Sequence, residues 1–223
     1  MTSLAPYGPR LQSAASALGL EIGDEQAKTL LAYLEQLQRW NRTYNLTALR
    51  DPEQMLIQHL FDSLSIVLPL TEHLKAGPGH PVVADVGSGA GLPGVVVAIM
   101  CPDVSVHCVD TVEKKATFIR YVAGVLRLQN LKAHHARIES LPPFEADIVV
   151  SRAFASLLDF ATLAGRHVGP EGRLLAMKGQ VPHEEIAQLH SSTPWRAERV
   201  ETLQVPEMGA QRCLVWLTEQ GIV

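Results

Sequence analysis

Long apolar runs, paired cysteines and a strong excess of either charge are all missing from this chain of 223 residues. No stretch approaches the roughly 18 apolar residues of a membrane helix. The opening MTSLAPYGPR lacks the basic start and apolar core of a secretion signal. The expected address is therefore the cytoplasm, with no membrane partner. Cys101, Cys108 and Cys213 form an odd, scattered set without CxxC spacing, which argues for buried thiols and against a disulfide framework or a zinc site. His134 and His135 adjoin, but neighbours on a strand point to opposite faces and no acid or thiol is spaced with them, so no metal is expected. Ser151 has neither a nucleophile elbow nor a spaced triad, which counts against hydrolase chemistry. A net charge of −4 excludes a uniformly basic surface and leaves room only for a local basic face.

What is present divides into two textures. From Asp24 to Asn41, Ala27, Leu30, Leu31, Leu34 and Leu37 recur at helical spacing, with Asp24 as the expected N-cap. After NRTYNLTALR, Asp51-Pro52-Glu53-Gln54 reads as cap, proline at the first helical position and capping-box glutamine. That predicts a second helix whose apolar face includes Leu56, Leu60, Leu64 and Val67. The breaker-rich KAGPGHP, residues 75–81, closes this section. The expected organisation is a helical extension over 1–79, packed on a main domain over 80–223.

In the main domain β-rich runs (82–86, 104–109, 131–136, 147–151 and 173–177) alternate with helical segments (93–100, 112–127, 156–167 and 182–190). Such alternation predicts an α/β fold, a doubly wound and mostly parallel sheet with helices on both faces. The last two runs, WRAERVETLQV and QRCLVWLT, have no helix between them. They predict a terminal hairpin with at least one antiparallel strand.

The first strand-to-helix turn is ADVGSGAGLPGVVVAI, residues 84–99. Glycines there let the backbone bend tightly and leave no Cβ between it and a ligand. Two registers are open. Gly89, Gly91 and Gly94 fit the dinucleotide fingerprint G-x-G-x-x-G, with Asp110 about twenty residues on for a ribose diol. Alternatively Asp85, Gly87, Gly89 and Gly91 form D-x-G-x-G-x-G, and an acid before the loop suits a cationic ligand better than a pyrophosphate. S-adenosylmethionine, with its ammonium and sulfonium, is the favoured ligand. In that register Asp85 supports the loop near the methionine end, and Gly87, Ser88 and Gly89 line the approach.

Several stretches together carry a resemblance over nearly the whole chain: WNRTYNLTAL (40–49), HLFDSL (59–64), DVGSGAGLPG (85–94), VDTVEKKATFIR (109–120), ARIE (136–139), VVSRAF (149–154), MKG (177–179) and RCLVWL (212–217). The chain resembles the class I methyltransferases, and most closely the glucose-inhibited division protein B family of bacterial 16S ribosomal RNA guanine-N7 methyltransferases. The resemblance implies a Rossmann-like, seven-stranded sheet. It also implies methyl transfer from S-adenosylmethionine, leaving S-adenosylhomocysteine, to N7 of one guanine in the decoding-region loop. By the same analogy Gly87 and Leu92 line the cofactor site, Ile138 and Glu139 flank the adenine, and Arg152 lies near cofactor and acceptor. The implied partner is 16S ribosomal RNA in the small subunit or an assembly intermediate, with the enzyme expected to be a monomer.

The residues agree with that chemistry. Guanine N7 carries a lone pair and no proton, so its methylation needs orientation more than a general base. SRAF stands where enzymes acting on exocyclic amines typically show an Asn/Asp-Pro-Pro-aromatic motif. Arg152 and Lys178 are the candidate catalytic residues. Residues 110–137 hold six basic side chains against two acidic ones, among them Lys114, Lys115 and Arg120. Aromatics make up only 5% of the chain, so Trp40 and Tyr44 beside Arg39 and Arg42 stand out as a possible stacking and phosphate contact. The plainer alternative is that they pack the helical section onto the sheet. Arg212 completes the candidate RNA contacts. Two other readings remain: a nicotinamide-dependent dehydrogenase, which should show a Tyr-x-x-x-Lys pair absent from SRAFASLLDF, and a nucleotide-sensing RNA-binding module.

Overall fold

The computed structural model describes residues 4–75, 79–152 and 154–220. Parts of the expected breaker (76–78), the alanine of SRAF and both extreme termini lie outside the described residues. The helical section contains α1 (Gly8–Ala17), α2 (Asp24–Tyr44), α3 (Pro52–Met55), a π-helical stretch (Leu56–Phe61), α4 (Asp62–Leu64) and α5 (Val67–Leu74). Asp24 is the first helical residue rather than the cap. Gly23 takes the cap position, and its N–H donates to Gln26 Oε1 at 3.2 Å. The Asp51 cap forms as expected, accepting from Gln54 N at 2.9 Å. The helix it starts passes through the π stretch, a widening that clusters at functional sites. His59 lies within that stretch and Asp62 just after it.

The sheet comprises β1 (Val82–Val86), β2 (Ser105–Asp110), β3 (Leu131–His135), β4 (Ala146–Ser151), β5 (Val168–Lys178), β6 (Trp195–Leu203) and β7 (Arg212–Glu219) in the spatial order 3-2-1-4-5-7-6. Strands β1 to β5 pair in parallel, and β7 runs antiparallel between β5 and β6. Helices α6 (Gly94–Met100), α7 (Glu113–Val125), α8 (Leu157–Ala164) and α9 (His183–Ser192) cover it. This is the α/β class expected from the alternation. β5 begins five residues before the expected 173, despite Gly-Pro-Glu-Gly. A Cβ at Gly172 would sit 2.4 Å from Ala146 O, so glycine there lets the two strands close up where the register shifts.

Alternation along the strands feeds two cores. On β7, Leu214 and Trp216 face one, while Cys213, Val215 and Leu217 face the other. The first core is shared with Leu30, Leu34 and Leu37 of α2 and Phe118 of α7, so the helical section is part of the main body's packing. The second is closed by α8 and α9 through Phe160 and Leu189. The chain crosses from β3 back to β4 beside β1, and ligands bind outside the strand carboxyl ends at such a switch point. Among the described residues no helix is long and apolar enough to cross a membrane.

Candidate functional site

Strand β1 ends in the glycine loop, where Gly87, Gly89 and Gly91 all have positive φ (71°, 59° and 92°). Their jobs differ. A Cβ on Gly91 would strike Val95 at 2.4 Å and one on Gly94 would strike Cys108 Sγ at 2.4 Å, whereas one on Gly89 would meet nothing within 4 Å. Gly91 and Gly94 therefore let the loop pack down, and Gly89 leaves open space in front of the backbone. The loop is pinned from β2: Gly87 N and Ser88 N donate to Val109 O at 2.8 and 3.1 Å. Asp110 Oδ2 accepts from Gly89 N and Oδ1 from Val112 N, both at 2.8 Å. Tyr33 of α2 braces it from behind, donating its hydroxyl to Ala90 O at 2.9 Å.

Beside the loop lies a cavity of about 190 Å³, lined among others by Gly87, Asp110, Ile138, Glu139 and Phe154. Asp85 does not line it. Its carboxyl is fully buried, with Oδ2 accepting from Gly94 N at 2.8 Å and Oδ1 without a partner. Burial raises its pKa to about 7, against the opposing pull of the Gly94 N–H and Arg152. Asp85 thus supports the start of α6 from inside, and Leu92 is likewise buried in the core.

A second cavity of about 440 Å³ opens beside Arg152. Leu49, Gln58, His59, Asp62, Arg152, Met177, Lys178, Gly179 and Arg212 line it. Asp62 is its centre: Oδ2 receives Arg152 Nη1 and Oδ1 receives Arg212 Nε, each at 3.0 Å. Arg152 also donates to Gln58 O at 3.1 Å. Lys178 is held by Glu185 at 2.8 Å and by the carbonyls of Phe154 and Ala155. Burial, with Arg152 adding to it, lowers the His59 pKa to about 4, so this imidazole is neutral at ordinary pH. Its Nε2 lies 3.1 Å from Thr47 Oγ1, which already accepts from Leu49 N. The other ring nitrogen, Nδ1, is buried without a partner.

The structure therefore brings Arg152, Lys178 and Arg212 to one cavity and Asp110, Gly87, Ile138 and Glu139 to the other. Arg39, Arg42, Lys114 and Arg120 are exposed. Lys114 reaches back to Tyr44 O at 2.6 Å, capping α2, and Lys115 sits 3.9 Å from Asp110. Trp40 packs against Tyr44, Phe118 and Tyr121 at 5.0–5.4 Å, so the plainer reading applies to it; Tyr44 is 45% exposed. His107 and His134 stack at 5.2 Å, and among the described residues no group of metal-ligating side chains forms. Cys101, Cys108 and Cys213 are free and buried. Sequence reasoning missed Asp62, His59 and Gln58 as site residues. The signal was the HLFDSL stretch, whose histidine and aspartate lie on an otherwise apolar helical run where their burial was the clue.

Comparison with known proteins adds the following. A family model described as "GidB: rRNA small subunit methyltransferase G" matches residues 26–215. The ribosomal RNA small subunit methyltransferase G of Bordetella avium is 61% identical over 208 residues, covering 93% of this chain and 92% of that protein. Two solved structures share the fold. One, a SAM-dependent methyltransferase from Aquifex aeolicus, has a TM-score of 0.54 at 20% identity, with 83% of this chain and 96% of that one covered. The other, from Geobacter sulfurreducens in complex with S-adenosylhomocysteine, has a TM-score of 0.51 at 12% identity, with 69% and 90% covered.

Proposed function

The chain belongs to the rRNA small subunit methyltransferase G family, and from that premise we propose that it methylates N7 of one guanine in the decoding-region loop of 16S ribosomal RNA, with S-adenosylmethionine as methyl donor. It would act as a monomer in the cytoplasm on the small subunit or an assembly intermediate. The observation that carries the reading is the pair of cavities, one beside the glycine loop and lined by Phe154 among others, and one lined by Arg152, Arg212 and Lys178. The residues present fit the cofactor. Open space faces Gly89, and the Asp110 carboxylate at the end of β2 keeps lone pairs beyond the two it gives to the loop.

In this reading Asp110 takes the ribose hydroxyls, and Gly87, Ser88 and Gly89 present backbone to the cofactor. Ile138 and Glu139 flank the adenine. Asp85 and Leu92 act from behind, by holding the loop and α6 in place. S-adenosylmethionine supplies an electrophilic methyl group on a sulfonium. Guanine N7 has a lone pair and no proton, so no residue need remove one. Arg152 and Lys178 then orient the acceptor and exclude water, which is where the rate advantage of an oriented encounter arises. Arg39, Arg42, Lys114, Lys115, Arg120 and Arg212 provide the cationic face for phosphate.

The test is restoration in cells. Expressed in bacteria lacking their own enzyme, the chain should restore one site in 16S ribosomal RNA that cleaves after borohydride reduction and aniline treatment, the signature of N7-methylguanine. Failure to restore any site, with the protein soluble and binding S-adenosylmethionine, would overturn the acceptor assignment.

A further inference from the structure

The larger cavity is built from donors. Arg152, Arg212 and Lys178 put N–H groups among its lining side chains, beside the amide of Gln58, and its one lining carboxylate, Asp62, has both oxygens taken. Asp62 is 2% exposed, while the two guanidiniums it bridges are 29% and 26% exposed. They come from different parts of the sheet, the end of β4 and the start of β7, and the Asp62 carboxylate, from the helical section, touches both. A buried carboxylate is stable there because it is paired on each oxygen. In return it ties the two arginines to one point. His59 Nδ1 is a buried polar atom without a partner in the same wall.

We propose that Asp62 is the positioning residue of the acceptor pocket, holding Arg152 and Arg212 so that their donors select a purine bearing an exocyclic oxygen at position 6. This deepens the function proposed above and rests on it. Guanine presents acceptors at both N7 and O6, whereas adenine pairs its N7 with an N6 amino donor. An N6 amino group entering this cavity faces N–H against N–H, and a site built to hydrogen-bond one group rejects an analogue that leaves its buried donors unpaired. Asp62 acts through the arginines and does not itself meet the base. Arg212 does more here than contact phosphate. Its Nε is spent on Asp62 and its Nη1 on Gln211 O, which fixes the plane from which the rest of the guanidinium faces the cavity.

The experiment compares two reconstituted substrates that differ at the acceptor nucleotide alone, guanine or 2,6-diaminopurine. The analogue keeps N7 and the 2-amino group and replaces O6 by an amine. Wild-type enzyme should prefer guanine in kcat/KM by about 10-fold to 100-fold, the range of one good polar contact. Asp62→Asn puts an amide donor against an arginine and should cut that preference at least about 5-fold, with Asp62→Glu recovering part of it. Because the preference is a ratio within one preparation, loss of folded enzyme alone leaves it unmoved. Should Asp62→Asn be inactive on both substrates, Arg212→Gln decides, with the same fall in preference expected. A wild-type enzyme without preference, or a variant that keeps the full ratio, overturns the inference while the proposed function stands. If wild type leaves the guanine substrate unmethylated, the proposed function fails, and this inference with it.

Discussion

A carboxyl with no exposed surface, one hydrogen bond from Gly94 N and one oxygen without a partner is held toward its neutral form, and the pKa of Asp85 near 7 follows from that burial. The sign of the pH effect follows too. Asp85 binds its proton more tightly folded than unfolded, so its contribution is complete below about pH 4 and is lost as pH rises towards 7. Asp85→Asn should abolish that part of the slope, keep the Gly94 contact and make the protein relatively more stable at pH 8 than at pH 5. Urea unfolding of both proteins at the two pH values checks it, and an unchanged slope would refute the neutral carboxyl. Gly94→Ala should cost about 1–3 kcal/mol by calorimetry, because its Cβ would lie 2.4 Å from Cys108 Sγ. Legibility at this scale was uneven. The place of Asp110 beside the glycine loop was readable, because it follows directly from its position at the end of the second strand. Asp85 was placed before the loop, but its side chain turns into the core rather than into the cavity, because the spacing D-x-G-x-G-x-G does not say which way the side chain points. Asp62 was hidden inside an apolar helical run, because its partners stand 90 and 150 residues away.

Helix α2 links the helical section to the glycine loop. Its apolar stripe enters the main core, Trp40 wedges against Phe118 and Tyr121 of α7, and Tyr33 reaches Ala90 O. Tyr33→Phe removes the donor and leaves a buried carbonyl short of a partner, at a cost of about 1–3 kcal/mol. The loss should appear both in thermal stability and as weaker binding of S-adenosylmethionine, since Ala90 lies within the glycine loop. Weaker stability with unchanged binding would mean the brace does not reach the site. Elements were the most legible level, because periods of two and 3.6 are set by local geometry. The π stretch over Leu56–Phe61 and the early start of β5 were not, since each depends on tertiary contacts rather than on residue type.

For the whole molecule, the proposed roles are divided along one end of the sheet. The strand carboxyl ends at the switch point carry both cavities, and a net charge of −4 leaves RNA attraction to a local face. Charge reversal at Lys114 and Lys115 together should weaken RNA binding and lower its salt slope by about 2 or more, as expected when two or more phosphate contacts are lost. A fall in S-adenosylmethionine affinity of equal size would instead assign the pair to the loop, where Lys115 lies 3.9 Å from Asp110. The central claim, that these cavities join a methyl donor to a guanine N7, is tested most directly in vitro. Purified protein, methyl-tritiated S-adenosylmethionine and unmethylated small subunits are incubated together, and the labelled nucleotide is mapped by mass spectrometry. The account predicts label on one nucleotide, as N7-methylguanine. Label on an exocyclic amine or a ribose hydroxyl, or none at all from a protein that binds the cofactor, would contradict it.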